Sequence, residues 1–372
     1  MTSSRLAVRV RAARPLPALV ALAVLAVSCG SGGSGSGGSD EESSPPGSIT
    51  TVPESSTTTV AGSPSASPPT TTSIESSTPE PIHIEGHRGA RGLKPENTLP
   101  AFETALDIGV STLELDLHLS ADDEVIVWHD EVLGSDKCRL ADDAPDGLEA
   151  PGTGGIPIRS LSAADLAGYR CDLNPDQSRF PDQDGSPTVL AGDRYQPVTL
   201  SAVFDFVARY AESPDKTEEQ RAGAALVEFN IETKRDPAHP EGIGDDFDGT
   251  NPGVFELGVL DTVAAAGLSD RVVIQSFDHR SLWAIRAVDP DIRLATLTFR
   301  GPPDLAGYAL RGADIWSPNF NEATPGRIEE AHELGLLVIP WTVNDPDDMT
   351  ALLDSGADGL ITDRPDVAAQ LG

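Results

Sequence analysis

The 372-residue chain is short of basic residues, of aromatic residues and of cysteine, and each shortage narrows what it can be. Lysine and arginine number 26 against 59 acidic residues, which gives a formal net charge of -33. Such a chain argues against nucleic acid as a partner, because binding there rests on neutralising phosphates. The same charge would repel an anionic membrane surface. No apolar run reaches the roughly 20 residues that a spanning helix needs. Aromatic residues are absent altogether from residues 30–80, which are dominated by Gly, Ser, Thr and Pro. That stretch cannot bury enough apolar surface to offset its ordering entropy, so it reads as a disordered tether.

What precedes the tether is a different kind of sequence. Arg5, Arg9, Arg11 and Arg14 form a basic region, and the apolar run Pro15 to Ser28 follows. A basic region, a short apolar region and a small-residue exit are the marks of a secretory signal, placed here at residues 1–28. The exit Leu25-Ala26-Val27-Ser28-Cys29 resembles a bacterial lipobox, although the usual leucine three places before the cysteine is Ala26. The expectation is an exported chain, lipid-anchored through Cys29 to the outer face of the cell membrane, with plain secretion as the alternative. Membrane contact would then run through the anchor only. With Cys29 lipidated, Cys138 and Cys171 remain. In an oxidising compartment they are expected to form a disulfide.

Residues 81–372 are long enough for one large α/β domain. Strand-like and helix-like runs alternate through them. Strands are read at Ile82 to Gly86, Thr112 to Leu119, Val125 to His129, Ala225 to Lys234 and Arg271 to Phe277, then around Leu294, Asp314, Val338 and Gly359. Helices are read between them. The first spans Thr98 to Val110, with Thr98 as N-cap and Pro100 in the first turn. Alternation with short loops argues for a parallel sheet, and about eight strands favour a closed barrel. Residues 131–196 break the rhythm and are read as an insertion after the third strand, containing a helix from Ser162 to Tyr169.

One joint is awkward. Only Ser120 to Glu124 separates the second and third strands, whereas a parallel crossover normally needs a dozen residues or more. The joint is either a hairpin or a crossover without a helix. The crossover is preferred, because it would put His129 at the same barrel end as Glu114 and Asp116.

The chemistry follows from strand alternation. In Thr112 to Leu119 the leucines 113, 115, 117 and 119 face one way, and Thr112, Glu114, Asp116 and His118 face the other. Ala225 to Lys234 divides likewise, with Glu228, Asn230, Glu232 and Lys234 on one face. Carboxylates converging on one interior space repel unless a cation compensates them, and hard oxygen ligands suit Mg²⁺ or Ca²⁺. His87 and His129 each sit where a strand meets its loop, at the catalytic end of a parallel barrel. Two such histidines can act as general base and general acid. Arg88 and Lys234 would bind a phosphate.

His87-Arg88-Gly89, Pro95-Glu96-Asn97-Thr98, Glu114-Leu115-Asp116 and His129-Asp130, in that order, resemble the signature of the glycerophosphodiester phosphodiesterase family. Glu232-Thr233-Lys234, Gln275-Ser276-Phe277, Trp341-Thr342-Val343-Asn344 and Asp358 to Pro365 continue the resemblance, which covers about Ile84 to Pro365. It implies a TIM barrel in which Glu114, Asp116 and Glu232 hold one divalent cation, Ca²⁺ or Mg²⁺. His87 and His129 would be the acid/base pair, with Arg88 and Lys234 on the phosphate. Trp341 would line the glycerol pocket, and Glu96 would position the first histidine loop or cap the following helix. The implied substrate is a small glycerophosphodiester, cleaved to glycerol 3-phosphate and an alcohol. No protein partner is implied. Two other readings stay open: a phospholipase D-like enzyme acting on sphingomyelin or lysophospholipids, and an inactive barrel serving as a surface binding lipoprotein.

Overall fold

A computed structural model describes residues 82–371 of the chain. The expected signal, tether and lipidated Cys29 therefore lie outside the described residues. Eight parallel strands follow one another around a ring: His83–Gly86, Thr112–Leu119, Glu228–Thr233, Val272–Ser276, Arg293–Thr298, Ile315–Pro318, Leu337–Val338 and Gly359–Thr362. Neighbours pair in parallel register, for example Asp116 with Glu232 and Glu232 with Gln275. The ring closes where Asp358 and Ile361 donate backbone N–H groups to Val338 and Pro340, each at 2.9 Å. A helix follows most of these staves, so the fold is a TIM (β/α)8 barrel.

The first helix, Leu99–Ile108, shows why local sequence and packing agree. Thr98 accepts a hydrogen bond from the Ala101 N–H, Pro100 sits where its missing N–H costs nothing, and Gly109 closes the helix in the left-handed region at φ 92°. The leucines of Thr112–Leu119 are fully buried in the layer between sheet and helices. Burying each stabilises by about 1.5–3 kcal/mol, so this strand is well anchored from outside. Inside the barrel the staves differ. Val273, Ala295, Ile315, Ile339 and Ile361 form an apolar floor. Glu85, Asn230 and Gln275 form a buried polar layer, with the Asn230 amide donating to Glu85 at 2.7 Å and to Gln275 at 3.2 Å.

The second joint differs from the expected crossover. Val125–Val127 pairs antiparallel with Thr112–Leu119, Leu117 opposite Val127 and Leu119 opposite Val125, so the two strands form a hairpin. Five residues are too few for a crossover. They close as a turn instead: Ser120 N–H donates to the Glu124 carbonyl at 3.0 Å, and Asp123 takes φ 62°. His129 still reaches the carboxylates, for a different reason. The eight-residue second stave overhangs the barrel mouth, and the hairpin brings the chain back down until Trp128 N–H meets the Asp116 carbonyl at 2.9 Å. The third strand is thus an arm outside the ring rather than a stave.

Smaller differences have local causes. The strand read from Ala225 begins at Glu228, because the helix Glu218–Leu226 runs up to it, fixed by a Thr217/Gln220 capping box. The helix Leu305–Leu310 was not read from the sequence. Within the insertion Ser162 caps a helix of only Ala163–Leu166, and Tyr169–Arg170 is already a short strand paired with Arg139–Leu140. The insertion carries its own apolar cluster around Trp128, Leu133, Ile158 and Tyr169, and a Cys138–Cys171 disulfide. Its far end is tied to the barrel by buried Glu103, which accepts the Leu190 and Ala191 N–H groups. The chain then rejoins the sheet at Val198–Thr199, antiparallel to the arm. Among the described residues no helix is long and apolar enough to cross a membrane.

Candidate active site

Many side chains of the barrel mouth are placed by the two-residue period of a stave. Glu114, Asp116, Asn230, Glu232 and Gln275 are inward residues of their strands, and Trp341 and Asp363 follow the ends of theirs. Glu114, Asp116 and Glu232 are all buried, and a carboxylate oxygen from each lies within 4.8 Å of the other two. The Arg88 backbone N–H donates to Glu114 Oε2 at 2.8 Å, and Gln275 donates to Glu114 Oε1 at 2.8 Å. Asn97 donates to Asp116 Oδ2 at 2.8 Å, and Lys234 donates to Glu232 Oε1 at 2.8 Å. Asp116 Oδ1 is buried with no hydrogen-bond partner.

The electrostatics are those of acids crowded without full compensation. Burial, with the charges of Asp116 and Glu232, pushes the Glu114 carboxyl well above its ordinary range. Burial pushes Glu232 up to about 7, against the pull of Lys234. Burial acts on Asp116 in the same direction, but Arg88, His129 and Lys234 outweigh it and hold that carboxyl well below the ordinary range. Three converging oxygens, two acids reluctant to ionise and one orphaned carboxylate oxygen fit a bound divalent cation.

The two histidines flank this triad. His87 Nδ1 is 2.6 Å from Asp363 Oδ1, which turns Nε2 toward Glu114 Oε2, 4.0 Å away. His129 Nδ1 is 2.7 Å from Asp130 Oδ1. Burial lowers both imidazoles, His87 against the pull of Asp363 and His129 to about 4 with help from nearby Arg88. Both are therefore neutral near pH 7. The turn after His87 is built tightly. Arg88 has φ 54° and Gly89 φ 86°, and a Cβ on Gly89 would meet the Ala101 carbonyl carbon at 2.6 Å. This turn aims the Arg88 N–H at Glu114 while the guanidinium lies 3.1 Å from Asp116 Oδ2.

His87, Arg88, Glu114, His129, Glu232, Lys234 and Trp341 line one cleft of about 250 Å³. Asp116 lies beneath it, fully buried. The Trp341 ring packs edge-on against Phe277, centroids 5.4 Å apart, and forms the apolar wall. Glu96 does not line the cleft and does not cap the helix, which Thr98 does. It sits behind the site on Arg88 at 3.0 Å, Arg91 at 2.6 Å and Lys137 at 2.8 Å. Burial pushes its carboxyl up, but those three cations hold it well below the ordinary range. Sequence reasoning missed Asp363, Asn344, Arg91, Lys137 and Arg179. Asp363 was findable, since it occupies the position after the last stave that His87 occupies after the first. Lys137 and Arg179 reach the cleft from the irregular insertion, where no period points to them.

Known proteins share this chain's sequence pattern and fold. A glycerophosphodiester phosphodiesterase of Caldanaerobacter subterraneus subsp. tengcongensis is 28% identical over 289 residues, 77% of this chain and 96% of the relative. A Silicibacter pomeroyi crystal structure, assigned to the glycerophosphoryl diester phosphodiesterases, superposes with a TM-score of 0.62 at 28% identity, covering 78% of this chain and 92% of that one. An Oleispira antarctica phosphodiesterase, solved with the product sn-glycerol-3-phosphate, shares the fold at a TM-score of 0.55 and 17% identity, covering 78% and 95%. The model of the glycerophosphoryl diester phosphodiesterase family matches residues 87–367, from the first histidine to the last helix, and the chain belongs to that family.

Proposed function

We propose that this site hydrolyses small glycerophosphodiesters to glycerol 3-phosphate and an alcohol, with His87 and His129 moving the protons and Glu114, Asp116 and Glu232 holding one Ca²⁺ or Mg²⁺. The observation that carries the reading is the convergence of three buried carboxylates between two histidine–aspartate pairs, in a cleft shared with Arg88 and Lys234. Family membership and the phosphodiesterase relatives support it, as does the glycerol 3-phosphate bound by the Oleispira protein.

The residues divide the work by position. Arg88 and Lys234 bring positive charge to the phosphate oxygens. The Asp363 and Asp130 carboxylates hold the two Nδ1 atoms, leaving each Nε2 free to exchange a proton in the cleft. One histidine takes the proton of the attacking oxygen as that oxygen bonds to phosphorus. The other, which first takes up a proton on Nε2 beside the bound phosphodiester anion, gives that proton to the alcohol oxygen as the phosphorus–oxygen bond to it breaks. A bound divalent cation would neutralise the carboxylates and polarise the phosphate. Trp341 and Phe277 offer an apolar wall to the glycerol carbons. The cellular setting belongs to the same proposal: residues 1–28 direct export, and lipid on Cys29 holds the enzyme outside the cell membrane.

Glycerophosphocholine with coupled detection of glycerol 3-phosphate tests the reaction, with and without chelator. Turnover should fall by roughly 10³-fold or more on chelation and return with Ca²⁺ or Mg²⁺. Cleavage of sphingomyelin or lysophosphatidylcholine alone would sink the glycerophosphodiester assignment, and unchanged turnover in chelator would sink the metal role.

A further inference from the structure

We propose that Lys137 is a positioning residue through which the insertion holds both histidines in working geometry, and that the Cys138–Cys171 bridge keeps Lys137 in place. The proposal rests on the acid/base roles given to His87 and His129.

The Lys137 ammonium is largely buried, 2.8 Å from Glu96 Oε1 and 2.5 Å from Asp130 Oδ2. Each of those carboxylates spends its other oxygen on the active site. Asp130 Oδ1 holds His129 Nδ1 at 2.7 Å, while Glu96 Oε2 holds Arg88 at 3.0 Å and Arg91 at 2.6 Å. Arg91 in turn lies 3.8 Å from Asp363 Oδ1, the atom that holds His87 at 2.6 Å. Charge therefore alternates without a break from one histidine to the other, and Lys137 is the link that joins the His129–Asp130 pair to the rest. It is also the one link that the insertion supplies.

Its backbone is pinned from three sides. Lys137 precedes Cys138, its carbonyl accepts the N–H of Leu173 two residues past Cys171 at 3.2 Å, and its N–H reaches the Gly134 carbonyl at 3.2 Å. Both cysteines are buried in the cluster that contains Trp128, the residue before His129. The bridge thus ties the lysine to the arm that carries the histidine. The plainer account, that Lys137 only neutralises Glu96, is weakened by Arg88 and Arg91, which already do so. Asp130 has no cationic partner other than Lys137 among the described residues, since its own histidine is neutral near pH 7. Without Lys137, Asp130 is free to swing toward solvent and His129 loses its hold.

Lys137→Met, Lys137→Arg and Cys138→Ser/Cys171→Ser test this, each assayed on glycerophosphocholine and on the chromogenic diester bis(4-nitrophenyl) phosphate. Lys137→Met should lower kcat by roughly 10- to 100-fold with KM held within about threefold, since misplacement by an ångström costs that much. Lys137→Arg should restore most of kcat, and the double serine variant should repeat the kcat loss well below its own melting temperature. An independent reading is the ¹⁵N spectrum of the histidines, in which Lys137→Met and the double serine variant should shift the His129 ring signals alike. Wild-type kcat in Lys137→Met, a loss carried by KM instead, or an unmoved His129 spectrum would each overturn the proposal. A wild-type enzyme that cleaves only the chromogenic diester would instead sink the substrate assignment and leave this test standing.

Discussion

The two histidine–aspartate pairs are nearly equal in chemistry and unequal in support. Both make a short Nδ1···Oδ1 contact, 2.6 Å at His87 and 2.7 Å at His129. His87 and Asp363 follow the first and last staves, which pair in register from His83 and Gly359 to Gly86 and Thr362, so sheet hydrogen bonding sets their separation. Asp363 is buried and also accepts from Asn344 at 2.8 Å. His129 and Asp130 stand on an arm outside the ring, about a third of the Asp130 side chain is exposed, and its outer partner comes from the insertion. A barrel end thus provides one rigid catalytic wall and leaves the facing wall to loops, where relatives can diverge without touching the core.

Removing either ring should erase this inequality. His87→Ala and His129→Ala are each expected to lower kcat by roughly 10³- to 10⁴-fold, because on the proposed mechanism each deletes a proton-transfer group outright. Steady-state rates at saturating substrate check this. A His129→Ala enzyme within about tenfold of wild type would show the arm to be dispensable and break the comparison.

Removing the aspartates should expose it. Asp363→Asn takes a buried carboxylate from His87, Arg91 and Asn344 together, and a fall in kcat of about 10³-fold is expected, with a lowered melting temperature. Asp130→Asn leaves His129 a partly solvated amide partner, and about 10- to 100-fold is expected, with little change in melting temperature. Equal losses would mean that burial does not separate the pairs. Kinetics and thermal unfolding on the same preparations decide it.

The same contrast explains what was legible in the sequence. Positions after regular strands could be numbered by the two-residue period, which brought out Glu114, Asp116, Glu232, His87 and Lys234. The eight-stave barrel followed from alternation and short loops. The Ser120–Glu124 joint could not be resolved by period, since a hairpin and a crossover leave the same alternation of side chains along each strand. Its five-residue length was the better guide, and it pointed to the hairpin. Lys137 and Arg179 sit in a segment with no repeating geometry, where the fold that brings them to the cleft depends on a disulfide and a small separate cluster. Charge alone does not mark them among 26 basic residues.

The smallest expected effect concerns acid stability, and it should again fall on the arm. Burial, opposed only in part by the His129 carbonyl, lowers His118 to about 4, and burial with Arg88 lowers His129 to about 4. Their unfolded value is about 6.5, above the folded one, so the unfolded chain takes up protons first as pH falls. Stability is therefore retained above about pH 6.5 and lost progressively down to about pH 4, by about 1–2 kcal/mol per histidine at pH 5. His118 Nε2 donates to the His129 carbonyl at 3.0 Å, and glutamine can keep that bond. A His118→Gln/His129→Gln variant, followed by denaturant unfolding in chelator, should show a flatter fall between pH 7 and pH 4.5 than wild type. His87→Gln, which removes a single low-titrating ring from the rigid wall, should flatten it less. If His87→Gln flattened the profile more than the double variant, acid sensitivity would belong to the barrel wall, and the arm would not be the weaker of the two supports.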